Sequence, residues 1–311
     1  MKILPIADEK QDSDLKEALI RKNSHSKHGN DQVCAVQLDY IEYGLDMILA
    51  LVPQNEDRVW IHSTLSYQSD LVDSFGQCLS SIDLHRCSAH FSLLPCGRQV
   101  FTDYQNKCIK SVNVEGEVVT LFSTQPLRPC GIFVTESERG LGILVSLEDN
   151  VSYQPIPTSQ RMVKHYSLKG DVICIYRCDE QSDDSSPLFN RPDALTQNRN
   201  KDICVVNRTD FDSGEVCIIT EEGNFKSRYQ GDGLTFDPCG ICCDSKMNII
   251  VSDYSNTCVH LLTCEGEFSA YLLTRDTLLG DPWCVGIYND CLWLGCNRGR
   301  IERYRLLYKD S

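Results

Sequence analysis

No stretch of this sequence is apolar over the roughly 18 to 20 residues that a membrane-crossing helix needs, so no helical anchor is expected. A secretion signal is lacking too. The apolar run from Ile3 to Ala7 is shorter than a signal-peptide core and leads directly into charge. Without an export signal, the eighteen cysteines read as reduced, partly buried small hydrophobes and not as a disulfide framework, which places the protein in the cytoplasm. The sequons at Asn150 and Asn207 are then chance matches.

Positive charge is scarce. Thirty Lys and Arg stand against 44 Asp and Glu, a formal net charge of −14. Residues 1–31 carry six of each sign, so the whole imbalance falls on the rest of the chain. Such a domain repels nucleic-acid backbones on average, and DNA is not an expected partner.

Catalytic signatures are missing as well. None of the seven histidines lies in an H-E-x-x-H arrangement, and neither G-x-S-x-G nor a phosphate-binding glycine loop occurs. One C-x-x-C exists, from Cys239 to Cys242 with Cys243 beside it, but the second pair that a closed zinc site uses does not. Cys174 with Cys178 and Cys291 with Cys296 are spaced more loosely. No metal and no cofactor is expected on these grounds.

What is present begins with one helical stretch, residues 8–22, where Asp14 and Glu17 are spaced like a capping box and Leu15 and Leu19 lie four apart. A polar linker, 23–31, follows. From Val33 onward short β-branched and aromatic runs alternate with Gly, Asn, Asp and Pro, the all-β texture. The best-formed unit, 237–273, holds four strand-sized pieces, a Pro-x-Gly-Ile opening, an Asp-x-x-Asn turn at 253–256 and a Glu-Gly turn at Gly266. A second copy carries Asp103, Asn106 and Gly116, and in both the glycine follows the aspartate by thirteen residues. Aligned on the end of the second strand, His62, Asp103, Ser146, Asn207, Asp253 and Gly295 are spaced by 41, 43, 61, 46 and 42 residues. The long gap contains the polar insert 178–192.

Six units of four strands predict a six-bladed β-propeller over residues 32–311, preceded by the helix and linker of 1–31. The last unit stops one strand short, and the run 33–41 is left over at the other end. That run is expected to supply the missing outer strand and close the ring. The Asp-x-x-Asn segments read as tight turns in preference to calcium loops.

These residues resemble NHL repeats, with their Pro-x-Gly-Ile opening, Asp-x-x-Asn-x-Arg-Val strand end and glycine turn, over roughly residues 45–308. The stretch from Pro187 to Asn207 with 214–231 is similar to the propellers of degenerate invertebrate tripartite-motif NHL proteins. The resemblance implies a domain that binds proteins or RNA and presents targets to an N-terminal ubiquitin-ligase module. Two departures limit it. Cys108 and Cys258 stand where the family has arginine, and no cysteine precedes Val33 to build a RING or B-box.

In an antiparallel meander the Pro-x-Gly openings and Asp-x-x-Asn turns of all blades share one rim. The residues expected to be exposed there are Tyr104, Lys107, Arg128, Cys130 and Arg208, with Phe236, Cys239, Tyr254, Trp283 and Arg298. Aromatic and arginine side chains are what binding hot spots favour. The expectation is therefore a non-catalytic recognition module for a protein partner, related to the target-recruiting part of ubiquitin ligases. Single-stranded RNA, stacked on exposed aromatics, is one alternative. A propeller hydrolase or lyase with a metal in its central channel is the other.

Overall fold

A computed structural model describes residues 33–309, apart from Leu45, Leu65, 85–89, 138–139, Pro157, 178–187 and Leu234. The helix read at 8–22 lies outside the described residues. Strand β1 (Val33–Glu42) is followed by five sequential blades and part of a sixth. Blade one is β2 (Ile48–Pro53), β3 (Arg58–Ser63), β4 (Gln68–Asp73) and β5 (Cys78–Asp83). Blade two is β6 (Phe91–Leu93), β7 (Gln99–Asp103), β8 (Cys108–Val112) and β9 (Val118–Ser123). Blade three is β10 (Arg128–Ser137), β11 (Gly140–Glu148), β12 (Arg161–Ser167) and β13 (Val172–Tyr176). Blade four is β14 (Pro192–Gln197), β15 (Ile203–Asp210), β16 (Ser213–Ile219) and β17 (Phe225–Tyr229). Blade five is β18 (Pro238–Cys243), β19 (Ile249–Asp253), β20 (Cys258–Leu262) and β21 (Phe268–Leu273). Blade six begins with β22 (Pro282–Tyr288), β23 (Cys291–Cys296) and β24 (Arg300–Tyr308).

The fourth strand of blade six is β1, antiparallel to β24 from Val33 opposite Tyr308 to Glu42 opposite Arg300. Charge reinforces this joint: Arg303 pairs with Asp39 and, at 2.9 Å, with Asp57 of blade one, while Arg300 reaches Glu42 at 3.0 Å. The protein is a six-bladed β-propeller. Among the described residues no helix is long and apolar enough to cross a membrane.

The core is divided into six hydrophobic clusters, one in each seam between neighbouring blades. This explains why the second strands are continuously apolar and do not alternate with polar residues. In β15, Ile203 and Val205 face the seam with blade three, while Cys204 and Val206 face blade five. Both faces of the strand are interior. Cys204, Cys217, Cys242, Cys291 and Cys296 fill seam positions as small hydrophobes.

The turns obey their sequence signals. Asn106 donates its backbone N–H to Asp103 Oδ1 at 2.9 Å and its side-chain amide to Oδ2 at 2.7 Å, and Asn256 does the same with Asp253 at 3.3 and 2.8 Å. Gly116 and Gly266 sit at φ of 85° and 83°, where a side chain is strained.

Candidate active site

The six first strands surround a central channel enclosing about 310 Å³. Its wall is mostly apolar, including Leu49, Ile132 and Ile241, with His90, Ser92, Thr196 and Gln197 as polar exceptions. The glycines of the Pro-x-Gly openings set how closely the strands approach. A Cβ on Gly131 would lie 2.2 Å from the carbonyl oxygen of Asp193 in the next blade, and one on Gly240 2.7 Å from the backbone nitrogen of Val285. Neither position tolerates a side chain without moving backbone.

First strands start, and second strands end, at the same mouth: Arg128 lies opposite Glu148, Pro192 opposite Asn207, Pro238 opposite Asp253 and Pro282 opposite Cys296. There His90, just before β6, reaches over blade three to Asp193 on β14, Nε2 to Oδ1 at 3.3 Å, both half-buried. The Asp193 backbone is fixed by Ser146, whose hydroxyl donates to its carbonyl and accepts from Gly131 N–H, both at 2.7 Å. Burial alone would raise the Asp193 carboxyl, but His90 and the Arg208 and Arg191 guanidiniums outweigh it and hold the group below the usual range. Asp193 is an ionised orienter for an imidazole.

Beside this pair lies a saturated network. Glu148, fully buried, accepts from Tyr104 Oη at 2.7 Å, Arg161 Nη1 at 3.2 Å and Arg191 Nε at 3.1 Å. Arg128 lies over the Tyr104 ring at 5.3 Å and has no ion-pair partner among the described residues. Asp237 accepts from Arg208 Nη2 and from Ser255 Oγ, each at 2.8 Å. Burial, then Glu148, raises the Tyr104 hydroxyl to about 12; burial, then Asp237, raises the Cys239 thiol to about 12; burial pushes Cys130 well up. These groups stay protonated at neutral pH, so neither Cys130 nor Cys239 is a thiolate nucleophile.

Glu148 and Asp237 are engaged by guanidinium groups, and Asp193 faces His90. Among the described residues, the one group of three His, Cys, Asp or Glu donors within 4.8 Å of one another is Asp253, Cys258 and His260, in the second and third strands of blade five. Among the described residues the channel wall itself carries no such set.

The rim list requires correction. Cys130, Arg208, Phe236 and Cys239 are buried, not exposed. Arg208 turns its guanidinium inward to Asp237 and to the carbonyls of Pro238 and Phe211. Phe236 packs edge-on against Tyr229, 5.2 Å between ring centroids. Tyr104, Lys107, Arg128, Tyr254 and Trp283 are half-buried, and Tyr254 meets Trp283 edge-to-face at 5.2 Å. Arg298 is exposed but lines a separate hollow with Arg275 and Arg300. His90, Asp193, Arg191, Glu148 and Arg161 escaped the sequence reading. A signal for Asp193 existed: it follows Pro192 as Cys130 follows Pro129, Cys239 follows Pro238 and Trp283 follows Pro282. Ala194 hides it by standing where the openings at 129–131 and 238–240 carry glycine.

No protein-family model matches the sequence, and none of the curated proteins compared does. Solved structures do. Virginiamycin B lyase from Staphylococcus aureus is 12% identical with a TM-score of 0.58, covering 88% of this chain and 99% of that one. A gluconolactonase from Xanthomonas campestris gives 12% and 0.62 over 86% and 89%. The PQQ-bound aldose sugar dehydrogenase of Streptomyces coelicolor gives 13% and 0.65 over 90% and 100%. At these identities the likeness is one of fold. It nonetheless corrects the expectation of a non-catalytic recognition module, which rested on repeat pattern and missing motifs: these three neighbours are propellers of this build, and all three are enzymes.

Proposed function

We propose that the protein is a propeller enzyme of the hydrolase or lyase class, working at the channel mouth with His90 as the proton-transfer group and Asp193 as its positioning residue. The observation behind this reading is the His90–Asp193 pair, half-open to solvent at one end of an apolar channel. With Nε2–H donated to Asp193, the imidazole presents Nδ1 as a proton acceptor. Such a base can take a proton from water, giving hydrolysis, or from carbon beside a leaving group, giving elimination. Arg128, without a carboxylate partner, is the cation available for developing negative charge on a substrate oxygen. Tyr104 holds that guanidinium from below, and Trp283 of blade six packs edge-to-face on Tyr254. We also infer that the repeats are of NHL type, on the Pro-x-Gly openings at 129–131 and 238–240 and the paired Asp-x-x-Asn turns.

The neighbours named above suggest the first substrates to try, a sugar lactone and virginiamycin B. Turnover of either class is expected to fall by roughly 10²- to 10⁴-fold in His90→Ala, the usual contribution of a general base. Undiminished turnover in that variant, or none by the wild type across lactones and cyclic esters, defeats the proposal.

A further inference from the structure

In blade five, away from the channel wall, Asp253 at the end of β19 meets Cys258 and His260 of β20. His260 Nε2 lies 3.2 Å from Asp253 Oδ2 and 3.2 Å from Cys258 Sγ, and all three residues are buried. On the ring's other side Nδ1 is 2.8 Å from the Tyr229 hydroxyl. Phe236, Phe268 and Tyr271 surround the imidazole with centroids 5.0, 5.8 and 4.9 Å away.

The proton count does not serve this arrangement well. If Nε2 carries the proton, one N–H is divided between a carboxylate and a sulfur. If Nε2 is bare, the thiol can donate to it, but the ring nitrogen and Asp253 Oδ2 then face each other as two acceptors at 3.2 Å. A cation bound by the bare Nε2, with the thiolate sulfur and Asp253 Oδ2 as its other donors and the ring proton on Nδ1, removes the conflict.

Comparison between blades points the same way. Blade two has the same Asp-x-x-Asn turn and a cysteine in the same place, Cys108, but Lys110 stands where blade five has His260. Its ammonium lies 2.7 Å from Asp103 Oδ2. Blade three places Arg161 on Glu148 at the matching corner. In both, a positive side chain neutralises the carboxylate that ends the second strand. Blade five has an imidazole and a thiol instead, which are metal donors.

We propose that Asp253, Cys258 and His260 form a binding site for a thiophilic divalent cation, with zinc as the ion that fits, and with one further position left for water. Zinc holds nitrogen and oxygen at about 2.0 to 2.1 Å and thiolate sulfur at about 2.3 Å, so a tetrahedral ion sets nitrogen–oxygen and nitrogen–sulfur edges of about 3.3 and 3.6 Å. The observed 3.2 Å edges are close to these. Tyr229 accepts the Nδ1 proton, the outer partner that orients a metal-bound histidine, and Asn256 donates to the Asp253 carboxylate at 2.8 Å. Binding joins the last residue of blade four's outer strand to the third strand of blade five. The role is structural, and it is independent of the channel-mouth reading.

The test is elemental analysis of the full chain purified without a metal-affinity tag, together with cobalt titration. About one zinc per chain is expected, or, from metal-free protein, uptake of about one cobalt with a thiolate-to-cobalt absorption band. Cys258→Ser should abolish that band and lower zinc retention by more than about tenfold. His260→Lys recreates the Lys110–Asp103 pair of blade two, so it should lose the metal while keeping its strand circular dichroism. Wild-type protein that contains no zinc and gives no thiolate–cobalt band overturns the proposal. So does zinc retained by both variants, which would place the ion elsewhere.

Discussion

Replacing Arg161 with methionine isolates what a buried charge contributes beside the channel mouth. The side chain is fully buried, with Nη1 on Glu148 at 3.2 Å, Nε near Asp149 at 2.9 Å, and Nη2 on Asn150 Oδ1 at 2.7 Å and the Ser152 carbonyl at 3.1 Å. Breaking a buried pair by removing one partner costs about 3 to 5 kcal/mol, because the remaining charge is stranded. Glu148 keeps Arg191 and Tyr104, which places its share near the lower figure, about 3 kcal/mol. The Asn150 and Ser152 bonds lie in a partly exposed loop and add about 1 kcal/mol together. For a domain of this size the unfolding entropy is about 0.6 kcal/mol per kelvin, so a loss of about 4 kcal/mol lowers the melting temperature by about 7 °C. Differential scanning calorimetry reads this directly. Adding Glu148→Leu to Arg161→Met should recover at least about half of the loss, since the stranded carboxylate goes with it. A drop of less than about 2 °C in the single variant, about 1 kcal/mol on the same conversion, would show that water reaches Glu148. A double variant no more stable than the single would show that the loss came from packing, and either result refutes the reasoning.

Two further outcomes follow from geometry and burial. Gly131→Ala places a Cβ where the Asp193 carbonyl now sits, so it should push Asp193 from His90 and lower kcat on any substrate that wild-type protein turns over, with KM changing less; an unchanged kcat would remove Asp193 from the mechanism. Burial raises the Glu302 carboxyl above its ordinary range, with Tyr304, the Leu279 N–H and Cys296 opposing it only in part. A raised carboxyl destabilises the fold above its folded pKa and ceases to do so below its unfolded value of about 4.3. Glu302→Gln should therefore raise the melting temperature at pH 8 and give no gain near pH 4, and a gain of equal size at both would contradict this cause.

The propeller is legible in the sequence because each blade repeats a local pattern. Runs such as 203–206 are apolar on both faces, and Pro-x-Gly, Asp-x-x-Asn and Glu-Gly mark the ends of strands. The site is not legible because it is made between blades. His90 and Asp193 meet only once blades two, three and four are packed together, and no spacing within one repeat brings them together. The reading of exposure failed for a related reason. Arg208 has the residue type and rim position of a surface contact, yet Asp237 and two carbonyls of its own surroundings consume its donors. Cys258 and His260 sit one residue apart, in a pattern too short for a metal motif, and only the turn that returns Asp253 to them completes the group.

Five blades are each knit from one stretch of chain, but the sixth is clasped by strands from opposite ends of it. The clasp runs antiparallel, with Val33 opposite Tyr308 at its outer end. Tension applied to the two ends therefore does not shear β1 along β24, where every rung would share the load. It peels the ladder one rung at a time from Val33 and Tyr308, until it meets the Asp39–Arg303 and Glu42–Arg300 ion pairs. The joint that closes the ring is thus loaded one rung at a time, and those ion pairs stand at the end of the ladder that opens last.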